Sequence, residues 1–79
     1  MELTVLKPIF AESASQLVQE ASQFTSTILL KKDHWVIDAK SLLGVIALSL
    51  QPGQKVEIEV KGEDVDAIQQ AFLKTGLFQ

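Results

Sequence analysis

The sequence predicts an α+β fold. It is an open-faced two-layer sandwich, a four-stranded antiparallel sheet with three helices on one face, in the order β-α-β-β-α-β-α. Three observations predict it. Lys55-Val56-Glu57-Ile58-Glu59-Val60-Lys61 alternates strictly between charged and β-branched residues, the period of a strand with one covered and one wet face. Ala14, Leu17, Val18, Ala21 and Phe24 follow the spacing of a single helical stripe. The chain has 79 residues, and a chain this short buries only about 60% of its unfolded surface. Residues 1–79 therefore read as one domain, in which every half-apolar element must pack on the others around one core.

Leu3-Thr4-Val5-Leu6 is a strand with Leu3 and Val5 inward, ended by Lys7-Pro8, because proline cannot donate to a ladder. Ile9 to Glu12 lead into the first helix, where Ser13 with Gln16 three residues on fits a capping box. The wet face of that helix carries Glu12, Gln16, Gln19, Glu20 and Gln23. Thr25 to Lys32 reads as a second strand with Ile28 and Leu30 on one face. Lys31-Lys32 reads as its solvated end. Asp33-His34 is a two-residue loop into a third strand, Trp35 to Asp38, although such turns prefer glycine at their second place. Ser41 is the expected N-cap of a short helix over 42–48. Gln51-Pro52-Gly53-Gln54 is a turn by composition. Asp64 is the expected N-cap of the last helix, with Val65, Ile68, Ala71 and Phe72 as its apolar face and Gly76 just beyond its end.

Composition excludes several function classes. There is no cysteine, hence no disulfide framework or zinc–cysteine site, and no metal or cofactor is expected. Net charge is -3, all seven basic residues are lysines and arginine is absent. Arginine is the preferred bidentate reader of phosphates and guanine edges, so direct nucleic-acid binding is not expected. Met1-Glu2-Leu3-Thr4 begins with strand-like alternation and lacks the pattern of a signal peptide. The longest apolar run, Leu42 to Leu48, is far below the ~18 residues of a membrane span. A cytoplasmic protein without membrane contact is expected.

That apolar run is the most informative stretch. Seven consecutive non-polar residues follow Lys40-Ser41, more than a two-turn helix can turn toward one core. Val45 and Leu48 are expected inward. Leu42, Leu43 and Ile46 are expected to form an exposed patch for a partner.

Ala39-Lys40-Ser41-Leu42-Leu43-Gly44-Val45-Ile46-Ala47-Leu48 resembles the lysine-serine-x-x-glycine-valine-x-x-leucine segment of HPr, the phosphocarrier family of the bacterial sugar phosphotransferase system. Leu17-Val18-Gln19-Glu20-Ala21-Ser22-Gln23-Phe24 and Gly62-Glu63-Asp64 are similar to the family's first helix and to the entry of its last. The joint order and spacing cover essentially the whole chain. The resemblance implies a phosphate-accepting glycine-x-histidine-alanine-arginine-proline segment at the start of the first helix. Here that segment reads Pro8-Ile9-Phe10-Ala11-Glu12-Ser13: the histidine position falls on Phe10, the arginine on Glu12, the proline on Ser13, and only Ala11 agrees. A phenyl ring has no nucleophilic nitrogen, and Glu12 places negative charge where a phosphoryl group needs positive charge.

A histidine-less branch of the family, catabolite-repression HPr, shows the same loss while keeping a regulatory serine. The equivalent serine in HPr of low-GC Gram-positive bacteria is phosphorylated by a dedicated kinase, and the product is a coregulator of a sugar-responsive repressor. The resemblance thus implies a non-enzymatic regulatory protein of carbon-catabolite control. It would be phosphorylated at Ser41 and dock protein partners (a serine kinase, a transcriptional regulator) through Leu42, Leu43 and Ile46, with Lys40 adjacent. Phosphate at Ser41 would sit where a helix start favours negative charge. A plain N-cap explains the serine equally well. The alternatives are a phosphocarrier using His34, the only histidine, as an unusual acceptor, and a structural module, monomeric or weakly homodimeric through the apolar patch.

Overall fold

A computed structural model describes all residues 1–79. The elements are β1 (Glu2–Thr4), α1 (Glu12–Ser22), β2 (Thr27–Lys32), β3 (Trp35–Asp38), α2 (Leu42–Leu48), β4 (Lys55–Lys61) and α3 (Val65–Lys74). The strands form one antiparallel sheet in the order β1-β4-β2-β3, so fold class and element order are as the sequence predicts. The central pair, β2 with β4, sets Leu30 opposite Ile58 and Ile28 opposite Val60. Ile28, Leu30, Val56, Ile58 and Leu3 line the covered face. The helices close it with Ala14, Leu17 and Ala21 from α1, Val45 and Leu48 from α2, and Ile68 and Phe72 from α3. Burying each large side chain contributes roughly 1.5–3 kcal/mol. Two loop residues, Ile9 and Leu50, are fully buried and joined by a hydrogen bond from the Ile9 N–H to the Leu50 carbonyl (2.9 Å).

Several local expectations are corrected. The capping box does not form. Ala11 is the N-cap of α1, and Ser13 lies within the first turn. Its hydroxyl accepts the Phe10 N–H at 2.9 Å and faces the Pro8 carbonyl at 2.9 Å. A positive φ of 51° at Ala11 swings the chain into the helix early, so the Ser13 hydroxyl serves the groups before the helix, not its first-turn N–H donors. Asp64 occupies the N-cap of α3, but in a left-handed conformation with no side-chain cap bond. Val65, the first residue of α3, stays exposed at the rim. β2 starts at Thr27, two residues later than expected, because Ser26 is drawn inward to donate to the Glu63 carbonyl at 2.9 Å.

The β2–β3 connection is the expected two-residue loop, with Lys32 opposite Trp35. Its left-handed residue is the first, Asp33 (φ 54°), and not the second, as in turns that need positive φ only there. Lys31 and Lys32 are not a merely solvated strand end. Lys31 pairs with Glu59 at 3.1 Å, and the Lys32 ammonium donates to the Leu48 carbonyl at 3.0 Å, satisfying an open acceptor of the last turn of α2. After Gly76 the chain returns along β1: the Thr4 N–H donates to the Gln79 carbonyl (2.7 Å), the Gln79 N–H to Thr4 (2.9 Å) and the Leu6 N–H to Leu77 (2.7 Å). Phe78 thereby stacks on Phe72 with ring centroids 5.9 Å apart. No local pattern in the sequence predicts this strap.

The entry to α3 turns on Gly62. Its φ is 138°, and a Cβ there would lie 2.6 Å from the Ser26 hydroxyl oxygen. Gly62→Ala therefore combines backbone strain with a clash on the bond that anchors Glu63. It is expected to lower unfolding free energy by about 2 kcal/mol or more, read as a lower urea midpoint with unchanged slope.

Candidate functional site

Two exposed segments carry the residues singled out in the sequence, and α1 and α2 hold them at opposite ends of one helix pair. The Lys40 ammonium, just before α2, donates to the Phe24 carbonyl, just after α1, at 2.7 Å. At the other end Leu50, past α2, meets Ile9, before α1. The two helices are therefore antiparallel. Phe10 lies near the finish of α2 and Ser41 near the finish of α1.

At the first segment Phe10 is 64% exposed. Ala11 follows with φ 51° and ψ -109°, a conformation that an L-residue with a Cβ reaches only under strain, at about 1–3 kcal/mol. Glu12 is the acidic residue of the first turn, where the helix dipole favours it. Nothing in alanine's own preferences signals a position of positive φ, so the strain has no signature in the residue type. Ala11→Gly removes the Cβ and is expected to raise unfolding free energy by about 1 kcal/mol; a drop in the urea midpoint would contradict the strain.

At the second segment Ser41 is extended (φ -100°, ψ 108°), and its hydroxyl accepts the Gly44 N–H at 3.2 Å, capping α2 as the sequence suggests. Val45 and Leu48 are buried. Leu43 is 81% exposed and Leu42 41%, whereas Ile46 is half-buried against the core. Gly44 sets this orientation. A Cβ on it would stand 2.5 Å from Cγ2 of Ile37, so the helix lies directly on β3 along its glycine, and Leu43 next to it turns outward. Lys40 is half-buried and committed to Phe24; its ammonium does not meet the Ser41 hydroxyl.

His34 sits exposed on the β2–β3 turn and makes no hydrogen bond. An open polar groove of about 420 Å³ runs between α1 and α3, lined chiefly by Gln16, Gln23, Gln70, Glu20 and Lys74. No three histidine, cysteine, aspartate or glutamate side chains converge as a metal site, and no helix is long and apolar enough to cross a membrane.

A four-stranded antiparallel sheet under three helices in this order, with the starts of α1 and α2 exposed, is the architecture of the HPr-like open-faced sandwiches. The chain belongs to the HPr family: residues 7–75 match the family model described as the PTS HPr component phosphorylation site. It is 41% identical over 73 residues to the phosphocarrier protein HPr of Lysinibacillus sphaericus, covering 90% of this chain and 80% of that protein. It is 36% identical over 64 residues to the HPr-like protein Crh of Bacillus subtilis, covering 81% and 75%. The crystal structure of HPr from Bacillus anthracis superposes with a TM-score of 0.86 at 27% identity, covering 95% of this chain and 92% of that one. Members under both names, phosphocarrier and HPr-like protein, are thus among its relatives.

Proposed function

We propose that this protein is a non-catalytic regulatory member of the HPr family, which binds protein partners and does not carry phosphate on the usual residue. One observation carries the reading. The side chain presented before the strained Ala11 is Phe10, at the place the family resemblance assigns to the acceptor histidine. A phenyl ring cannot accept a phosphoryl group, and Glu12 beside it would repel one. The phosphocarrier alternative would fall to His34, which stands on a separate turn with no hydrogen bond to orient its ring. Incubated with phosphoenolpyruvate and the first enzyme of the phosphotransferase system, the protein is expected to gain no acid-labile phosphoryl group. An adduct that disappears in His34→Ala would overturn the reading.

The partner surface is the outer side of α2, with Leu43 as its most exposed apolar side chain and Leu42 and Ile46 beside it. Ser41 is the regulatory position. Phosphorylation there would set two negative charges next to an apolar patch and replace a neutral cap with a stronger acceptor for the first-turn N–H groups. Lys40, held by Phe24, fixes the entry to the helix and leaves the charge at Ser41 unneutralised, so a partner bringing cationic groups would prefer the phosphorylated form. A serine kinase and a transcriptional regulator of carbon-catabolite control, in the cytoplasm, are the partners this reading implies. With an HPr-directed serine kinase and ATP, intact mass is expected to rise by one phosphate in the parent and not in Ser41→Ala. No gain in the parent, or a gain that persists in the variant, would remove Ser41 as the switch.

A further inference from the structure

The sheet has two edges, and only one is closed. The outer edge of β1 is sealed by the C-terminal strap through Thr4, Leu6, Leu77 and Gln79. β3, the other edge, has no such cover. The Ala39 N–H donates to the Ile28 carbonyl, which fixes the phase of the β2–β3 ladder: Leu30–Ile37 and Lys32–Trp35 are the hydrogen-bonded pairs. The backbone groups of Val36 and Asp38 therefore turn away from the sheet. Of these, the N–H and carbonyl of Val36 and the N–H of Asp38 have no partner; the Asp38 carbonyl accepts from Ser41 at 2.9 Å. β3 carries no lysine, proline or bulge; only its shortness and Asp38 protect this edge. Trp35 and Val36 are both more than half exposed.

We propose that β3 is a self-pairing edge, whose occupant is β3 of a second copy of this chain, antiparallel across a two-fold axis through Val36. The pattern of β3 is self-complementary in this register. Val36 of each copy faces Val36 of the other and exchanges both backbone hydrogen bonds. Trp35 comes opposite Ile37 of the second copy, an aromatic and a β-branched side chain on the helix side of the sheet. His34 in the turn of each copy is brought alongside Asp38 of the other, so the apolar centre is flanked twice by a basic-type and an acidic side chain. The Asp38 carboxylate gives one oxygen to the Lys40 N–H at 2.9 Å and keeps its second oxygen for this contact. The two four-stranded sheets would then run on as one of eight strands. A segment of four residues makes a weak contact, so association is expected at high protein concentration only. The proposed contact is made by the backbone edge of β3 and not by Leu42 or Leu43, and it does not depend on the regulatory reading above.

Sedimentation equilibrium on the whole chain, at concentrations up to about 1 mM, tests it. The parent is expected to dimerise with concentration. Val36→Lys, which places like charges across the axis on a solvent-facing strand position, should weaken dimerisation by roughly tenfold or more. His34→Glu, opposed to Asp38, should weaken it several-fold, whereas His34→Lys should retain it. Amide exchange of Val36 and Asp38 in the parent should slow as concentration rises. A parent monomeric throughout this range overturns the proposal. So does a dimer indifferent to Val36→Lys, whose loss in Leu43→Glu would assign the interface to α2 and whose persistence there would assign it elsewhere, and a dimer indifferent to His34→Glu overturns the register.

Discussion

The pairing of β2 with β4 is the constraint on which the rest of the molecule depends. It sets Ile28 and Leu30 beside Val60 and Ile58 on one face of the sheet. A slip of one residue would turn this entire set toward water and bring Leu29, Lys31, Glu57 and Glu59 under the helices. The two strands lie far apart in sequence, so closing this pairing also fixes where everything between them must go. The hairpin of β3 extends the sheet on one side, and β1 completes it on the other. α2 is delivered onto β3, where Gly44 meets Ile37. With only one sheet face covered, the three helices share a single core, and each can bury a single stripe.

The positions of the candidate surfaces follow from that sharing. α1 and α2 lie antiparallel, linked at one end by the Lys40 ammonium and at the other by the bond between Ile9 and Leu50. Phe10 and Ser41 are thereby displayed near opposite ends of one helix pair. Side-chain-to-backbone bonds fix the helix ends: Ser13 to the loop before α1, Ser41 to Gly44 at the start of α2, Lys32 to Leu48 at its finish and Ser26 to Glu63 before α3. Each is worth only about 1 kcal/mol net. Their larger effect is directional, since they aim the helix entries while the apolar core supplies most of the stability.

The sheet, the element order and the inner faces were legible because they rest on periodicity, and the periods of Lys55–Lys61 and Ala14–Phe24 are unambiguous. Ser41 was legible as a cap because serine is favoured immediately before a helical apolar run. The failures lie where a residue's role depends on distant partners. Ser13 matched a capping box, but the loop from Pro8 to Phe10 claimed its hydroxyl. Ser26 left the strand for a carbonyl thirty-seven positions away. Lys32 finds its partner only where α2 brings the Leu48 carbonyl to it. The closure of the β1 edge by Leu77 to Gln79 left no local pattern to read. The strain at Ala11 was invisible for a related reason: alanine declares no preference for positive φ, and only the surrounding chain holds it there.

What α2 exposes bears on whether its outer face binds or is merely left over. A helix of seven residues resting on Gly44 can place Val45 and Leu48 inward, and Ile46 partly so. It has no core space left for Leu43. The fold therefore explains why position 43 is exposed, but not why it holds leucine. A polar residue there would keep the helix, the cap at Ser41 and the contact with Ile37, and would remove an apolar group from water. Full burial of such a side chain is worth roughly 1.5–3 kcal/mol, a gain that this chain forgoes when alone and that only a covering surface can recover. Phe10, 64% exposed before a strained residue, stands in the same relation to α1: packing does not require an aromatic ring there. Both side chains have their largest available free-energy gain in association. For Leu43, that is the physical ground on which the proposed partner surface on α2 rests.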